Sequence, residues 1–205
     1  TGAGLQGPLR LVVHGVPGND TACYLDGPEV IIHGNAQDGV GNTMNRGRVV
    51  VHGRAGDVLG YGMRGGEILV RDSVGYRVGI HMKEYGRQVP LILIGTNAGA
   101  FLGEYMAGGR IVVLALDTAD GEQVGPHCGS GLHGGAIFIR GGIDRSCISP
   151  DVEVSEPDEE DRQFLERCVA EYDQTFGRNA ASDPRPFVKL VARKSRPYAR
   201  LYVGV

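Results

Sequence analysis

The chain has 205 residues, a formal net charge of −3, 34 glycines, four cysteines and no tryptophan. This charge gives no electrostatic basis for binding nucleic acid, and no apolar run approaches membrane-spanning length, so we expect neither kind of partner. The four cysteines form no C-x-x-C pair, and the amino terminus lacks a signal-peptide pattern. These features favour a cytoplasmic protein with reduced thiols.

Seven apolar triplets recur along the first 140 residues, and each is typical of a short β-strand. The first four begin nineteen residues apart, and the later intervals are about twenty to twenty-six residues. The triplets begin at Leu11, Val30, Val49, Ile68, Leu91, Ile111 and Ile137. A period near twenty residues with one strand per period indicates a solenoid. We therefore predict an all-β solenoid, a parallel β-helix of about seven coils, because each repeat is too short for a strand and a crossover helix.

Glycines recur at two fixed positions before these strands. Two of the resulting segments, GYGMRGG from Gly60 and GSGLHGG from Gly129, contain the G-x-G-x-x-G spacing of dinucleotide-binding loops. That motif needs a helix after the glycines, whereas the residues that follow here, EILV and AIFIR, indicate strands. We interpret the glycines as structural residues at corners, where a Cβ would clash or demand an unfavourable φ. They are Gly41, Gly47, Gly60, Gly66, Gly103, Gly109, Gly129 and Gly135.

The residues before the first four triplets alternate in charge, as Arg10, Glu29, Arg48 and Glu67. This alternation favours a column on the solvent side of the strands. If that column points outward, the middle residue of each triplet points outward as well. The middle residues are apolar, so we expect the C-terminal helix, a partner or both to cover them. This predicted interface stripe consists of Val12, Ile31, Val50, Leu69, Ile92, Val112 and Phe138.

A C-terminal extension follows the repeats, and we predict domains over residues 1–146 and 147–205. Ser155 and Asp158 resemble a capping box, and apolar residues then recur at helical spacing. The pattern predicts an amphipathic helix over about 157–176, ended by Gly177 and packed on the repeat domain or on a partner. A basic, extended tail begins at Arg193, and its alternatives are docking on a neighbour or solvation.

Three histidines, His14, His33 and His52, follow successive strands and are expected to stack. Stacked imidazoles can bind a metal, but no carboxylate or thiolate recurs beside them. The alternative interpretation is a repeated corner residue that is hydrogen-bonded to the local backbone.

Two further groups could support catalysis. Cys128 lies near His127 and His133, but no third residue that would orient a base is evident. Four aspartates lie near corners, although a polysaccharide-cleaving enzyme would also need aromatic sugar platforms, which this sequence hardly offers. They are Asp38, Asp57, Asp72 and Asp117. We predict no catalytic, cofactor-binding or metal-binding residue in this chain, and an independent hydrolase is the alternative from another class.

Three segments resemble the GXGXG domain family: GNAQDGVGNTMNRGRVVVHG from Gly34, AGAFLGEYMAGGRIVVL from Ala98 and GPHCGSGLHGGAIFIRG from Gly125. This family includes the C-terminal domain of the glutamate synthase large subunit and a structural subunit of formylmethanofuran dehydrogenase. The resemblance covers about residues 9–142. GIHMKEY together with FLGEYMAGG looks most like the stand-alone, archaeal-type version of the glutamate synthase domain.

The resemblance implies a right-handed β-helix with no catalytic residue. In glutamate synthase this domain braces the glutaminase and FMN-binding parts and contributes to the wall of the ammonia route between them. FMN and the iron–sulfur cluster belong to those other parts, so we expect no cofactor in this chain and no activity from the chain alone. The expected partners are the FMN-binding and glutaminase subunits, and self-association is left open. The alternative is the GXGXG-containing structural subunit of a molybdenum or tungsten formylmethanofuran dehydrogenase.

Overall fold

Seven short strands follow one another through the repeats, and each contains one of the apolar triplets. In the computed structural model, which describes residues 1–193, two more strands flank a single α-helix, α1 (Glu159–Phe176). The strands are β1 (Arg10–His14), β2 (Asp26–His33), β3 (Arg46–Val51), β4 (Glu67–Val70), β5 (Leu91–Ile94), β6 (Ala107–Val113), β7 (Gly134–Arg140), β8 (Val152–Ser155) and β9 (Phe187–Ala192). Short 3₁₀ turns occur at Arg145–Cys147 and Ala180–Ser182. No helix within residues 1–193 is long and apolar enough to cross a membrane.

All nine strands belong to one mixed sheet in the order β1-β2-β3-β4-β5-β6-β7-β9-β8. Neighbours from β1 to β7 are parallel, whereas β9 pairs antiparallel with both β7 and β8. The prediction of an all-β, right-handed parallel β-helix is therefore wrong: the strands form an open, mostly parallel sheet with a helix on one face. The repeat period determines which strands are neighbours, but the antiparallel strands come from the C-terminal segment, which has no repeat.

The strand register corrects one triplet. Leu91 pairs with Glu67 and with Arg110, so it belongs to the charged column, and the triplet begins at Ile92. Ile68 and Ile92 are then 24 residues apart, while Ile92 and Ile111 return to the spacing of 19. The extra residues lie in the turn around Tyr85, and spacing alone could not show which side of the triplet they occupied.

The core on the inner face of the sheet is built from the first and third residues of the triplets. Val30, Val49 and Ile68 are fully buried there, together with Leu59 and Met63 from the glycine-rich segments. Complete burial of one such side chain contributes about 1.5–3 kcal/mol. Since every repeat supplies the same kinds of residues, one continuous apolar cluster extends from Ala22, before β2, to Leu190 in β9.

Helix α1 covers part of the other face. Leu165, Cys168, Val169 and Tyr172 pack on the middle residues of the central and C-terminal strands. The middle residues in this second cluster are Leu69, Leu93, Val112 and Phe138. Ile92 of the predicted stripe instead lies in the inner cluster, because the true middle residue of β5 is Leu93. Val12 at the other end of the stripe is 43% exposed.

The helix begins two residues later than predicted. Its N-cap is Asp158, whose carboxylate accepts a hydrogen bond from the Asp161 backbone N–H, while the Asp161 carboxylate accepts from the Asp158 N–H. The capping box is therefore formed by Asp158 and Asp161, not by Ser155 and Asp158. Gly177 ends the helix in the left-handed conformation with φ of 61°, as predicted.

The predicted charged column also holds the helix in place. Arg10 Nε lies 3.1 Å from Glu29 Oε2, and Arg48 Nη1 donates to Glu67 Oε1 at 2.6 Å. Arg48 additionally contacts the Glu171 carboxylate and donates to Thr175 Oγ1 at 2.9 Å, both on α1.

Because β9 lies between β7 and β8, the sheet continues past residue 146, and the proposed domain boundary stays a prediction. The basic tail after Arg193 lies outside the described residues.

Candidate functional site

The glycine-rich segments place side chains on one surface through an unusual backbone. In each segment, three alternate residues have positive φ. Around GIHMKEY they are Arg77, Gly79 and His81, with φ of 55°, 71° and 56°. In the next segment Gly103 and Tyr105 have φ of 68° and 52°. Side chains such as His81 and Tyr105 adopt this conformation at a cost of about 1–2 kcal/mol. The glycine faces the core, and the residue two positions later faces outward.

The backbone N–H groups of these segments donate hydrogen bonds to carbonyl groups of the neighbouring repeats. Gly60 donates to the Val40 carbonyl at 2.8 Å, and Gly62 donates to the Ile80 carbonyl at 2.8 Å. The amides of alternate residues thus bond to the preceding and following repeats. A dinucleotide pyrophosphate needs free amides at the start of a helix, and Gly66 leads into strand β4 instead. The glycine spacing is therefore a feature of the repeat and does not form a phosphate-binding site.

The outward side chains of neighbouring segments form what we call the aromatic–basic groove, with a volume of about 540 Å³. His81 lies at its centre: its ring stacks on Tyr105 with centroids 5.3 Å apart, and it meets the Tyr61 ring edge-on at 5.9 Å. Gly131 leaves room for this arrangement, since a Cβ there would lie 2.5 Å from the Tyr105 ring. The side chains that define the groove are Tyr61, Arg64, His81, Lys83, Tyr105 and His133.

The groove is electropositive although the whole chain is slightly acidic. Arg64 and Lys83 carry its fixed positive charges, and none of the described residues lining it is acidic. Arg64 is held across the groove because its Nη1 donates to the His81 carbonyl at 3.1 Å. The nearby Glu104 is engaged elsewhere, by Arg77 at 2.9 Å. Exposed aromatic rings beside these two cations are suited to a partner surface that carries carboxylates.

The three predicted histidines do stack, and they form a second exposed feature. The ring centroids of His14 and His33 are 5.0 Å apart, those of His33 and His52 are 4.8 Å apart, and Phe176 of α1 closes the stack edge-on at 5.2 Å. Burial lowers the pKa of His52, and the positive charges of His33 and Arg71 add to this effect. No group of three or more histidines, cysteines, aspartates or glutamates within residues 1–193 is arranged to hold a metal ion.

The eight predicted corner glycines all have positive φ, between 67° and 106°. Gly41, Gly60 and Gly103 lie against the Cδ1 atoms of core isoleucines, where a Cβ would stand within 2.6 Å. Gly79 occupies the same position beside Ile111, and sequence reasoning missed it because the spacing changes at the next repeat.

The residues considered for catalysis do not form a site. Cys128 is fully buried, and burial raises the pKa of its thiol to about 12, so it is not a nucleophile at neutral pH. Asp38 and Asp57 each accept a backbone N–H from the next repeat, at 2.9 Å and 3.0 Å. Asp72 pairs with Arg71, and Asp117 pairs with Arg178 at 2.8 Å. These aspartates stabilise turns and are spread along the molecule.

Sequence reasoning did not find the aromatic–basic groove. A usable signal was present, because Tyr61 and Arg64 lie inside GYGMRGG, His81 and Lys83 inside GIHMKEY, and His133 inside GSGLHGG. Arg64, His81, Lys83 and His133 stand two or four residues after the core-facing glycine of their segment, whereas Tyr61 directly follows its glycine.

Comparison with known proteins gives two matches. Residues 1–184 match the model of the GXGXG motif family. A protein of Methanocaldococcus jannaschii described as "Uncharacterized protein MJ1350" is 48% identical over 203 residues, which is 95% of this chain and 77% of that protein. Both matches extend through the seven repeat strands and helix α1.

Proposed function

The chain belongs to the GXGXG motif family, and on that premise we propose that it is a structural subunit of a glutamate synthase-like complex. The observation that carries the proposal is the family match over residues 1–184, which includes every strand from β1 to β8 and the helix. In this role the chain itself performs no chemistry. It braces a glutaminase subunit against an FMN-containing synthase subunit and shapes the ammonia route between them, in the cytoplasm.

The architecture suits a bracing role. The parallel strands are tied together by an ion-pair column from Arg10 to Glu67, and Arg48 links that column to α1. The core is continuous between the repeats, with Val49, Ile68 and Ile111 fully buried. Close packing of this kind resists deformation, so surfaces at the two ends of the sheet keep a fixed separation.

We place a partner contact at the aromatic–basic groove. Interfaces are enriched in tyrosine and arginine and bind through a few anchoring side chains. Tyr61, His81 and Tyr105 offer the rings, while Arg64 and Lys83 offer the charge. The expected counterpart is a carboxylate-bearing surface of the synthase or glutaminase subunit.

The experiment is an affinity purification of the tagged chain from its native cells, with mass spectrometry and flavin absorbance of the eluate. The proposal predicts co-purification of an FMN-containing synthase polypeptide and a glutaminase. Recovery of a metal–pterin enzyme would replace it with the formylmethanofuran dehydrogenase alternative, and a colourless chain without partners would contradict it.

Charge-reversed variants test the groove within the same experiment. Arg64→Glu combined with Lys83→Glu should lower recovery of the partners at least about tenfold, because like charges would face each other across the interface. Arg167→Glu, on an exposed position of α1, reverses a single charge elsewhere and should leave recovery unchanged. Equal recovery with all variants would place the contact on another surface.

A further inference from the structure

Arg140, the last residue of β7, is a buried cation without a carboxylate of its own. The residue is only 4% exposed. Its Nη1 donates to the Ala180 carbonyl at 2.8 Å, and the nearest carboxylate oxygen, Asp183 Oδ2, lies 4.0 Å away. Among the described residues, Arg140 Nε is the buried side-chain polar atom that lacks a hydrogen-bond partner. Buried donors are nearly always bonded, so this atom requires an explanation.

The neighbouring acids are already engaged. Arg185 binds both oxygens of Asp183 at 2.7–3.1 Å. Asp173, the other nearby carboxylate, accepts the backbone N–H groups of Ala180 and Ala181 at 2.6 Å and 3.0 Å. Arg185 also lies 3.5 Å from Asp120 Oδ1. Asp183 is thus shared by two arginines and lies too far from Arg140 for a hydrogen bond. Burial lowers the pKa of Arg140, the direction expected when the charged form lacks full compensation.

Arg140 also lines a groove between α1 and the start of β9, with a volume of about 750 Å³. The inner walls of the groove are apolar and include Leu165 and Val169 from the helix and Pro186, Phe187 and Val188 from the other side. Its exposed rim carries Glu156, Arg162 and Glu166. The Arg140 guanidinium stacks over the Phe187 ring, 4.6 Å from its centroid, so the ring fixes the plane of the cation. The volume is in the range of small-molecule sites, in which apolar walls surround a few polar groups.

We propose that this groove binds a small monocarboxylate with an apolar body, whose carboxylate accepts hydrogen bonds from the Arg140 guanidinium. The apolar body packs between Val169 and Val188, and the carboxylate supplies the hydrogen-bond acceptor that Arg140 Nε lacks. Because Nε itself is buried, binding requires the wall beside Arg140 to move so that the carboxylate reaches this atom. This site is separate from the aromatic–basic groove and does not depend on the proposed function.

The test uses the full chain with sodium octanoate as the probe and 1-octanol as the uncharged control of the same length. Binding is followed by NMR, through the Arg140 Nε–H resonance and the methyl groups of Leu165, Val169 and Val188. We expect octanoate to bind at least about tenfold more tightly than octanol, since a charge-assisted hydrogen bond is added. We also expect octanoate, but not octanol, to shift the Nε–H resonance. Equal affinity for the two probes, no shift up to about 10 mM, or shifts confined to other surfaces would overturn the proposal.

Two variants locate the charge that binds the probe. Arg140→Gln should remove the preference for octanoate over octanol. Arg162→Gln, at the exposed rim of the same groove, should change octanoate affinity less than about twofold because a solvated charge contributes little. If Arg140→Gln does not fold, the comparison of probes on the wild-type chain still decides the question. A preference for octanoate that persists in Arg140→Gln would assign the contact to another cation and overturn the proposal.

Discussion

Two features of the structure require glycine at Gly103: its backbone conformation and the crowding of the core beside it. Its φ is 68°, and a Cβ would lie 2.6 Å from Ile137 Cδ1 in the core. Gly86 has a similar φ of 60° but no atom within 4 Å of a Cβ. Alanine at Gly86 should therefore cost about 1 kcal/mol of unfolding free energy from backbone strain alone. Alanine at Gly103 should cost about 2–4 kcal/mol because overpacking adds to the strain.

Urea unfolding of the two glycine variants measures the difference directly. Equal losses of unfolding free energy for alanine at Gly86 and at Gly103 would mean that crowding by Ile137 contributes nothing. The positive φ alone would then make glycine necessary in the repeat.

Tyr172 is the fully buried anchor of α1, and its hydroxyl donates to the Arg71 carbonyl at 2.6 Å. Tyr172→Phe should lower the free energy of unfolding by about 1–2 kcal/mol, because the partly buried hydrogen bond to the Arg71 carbonyl is lost. Tyr85→Phe, at a residue that is 74% exposed, is the matched control and should stay within about 0.5 kcal/mol of wild type. A Tyr172→Phe variant as stable as wild type would show that the hydroxyl does not help to hold the helix.

Tyr172 also makes the stability of the protein depend on pH in the alkaline range. Burial raises the pKa of Tyr172 to about 12 from 10.0. Its contribution to stability is complete below the unfolded-state pKa of about 10 and is lost as the pH rises through the folded-state value. Tyr172→Phe should therefore reduce the loss of stability above pH of about 10.

At the scale of elements, the histidine stack across β1, β2 and the end of β3 should make stability depend on pH. The folded-state pKa of His52 is lowered, mainly by burial. The stabilising contribution of neutral His52 is present above the unfolded-state pKa of about 6.5 and is lost as the pH falls through the lowered value. His52→Gln should therefore lose less stability than wild type between about pH 7.5 and pH 5.

Chemical denaturation across this pH range measures the effect of His52→Gln. His133→Gln, at an exposed position outside the stack, is the control and should keep the wild-type pH dependence. Identical pH profiles for the wild type and His52→Gln would remove the stack as a source of the pH response.

Element boundaries were predictable where local chemistry determines them. The strands follow from apolar triplets, and the end of α1 follows from Gly177, which alone can adopt the left-handed cap cheaply. The start of α1 was misplaced because Ser155 and Asp158 are both capping residues by type, and only the packed helix shows which one caps. Leu91 was misassigned for a related reason, since the insertion in the preceding turn shifts the triplet without changing its composition.

At the scale of the whole molecule, the repeat period predicted in-register neighbours, but it did not predict the sheet as a whole. Strand β9 pairs with residues of β7 that are about 50 positions away and with residues of β8 that are about 35 to 40 positions away. No periodic signal marks these contacts. The aromatic–basic groove was missed for a comparable reason. Arg64, Lys83 and His133 line the same groove, and each follows a left-handed residue by two positions. Residue spacing alone does not give the direction of their side chains.

The structural role in a glutamate synthase-like complex is the central claim, and one reconstitution tests it most directly. Purified FMN-containing synthase and glutaminase subunits would be combined with 2-oxoglutarate, glutamine and a reductant, with and without this chain, and glutamate formed per glutamine consumed would be measured. The account predicts that the chain alone turns over nothing and that adding it raises the ratio towards two, because ammonia then passes between the subunits without escaping. An unchanged ratio, or glutamine hydrolysis by the isolated chain, would contradict it.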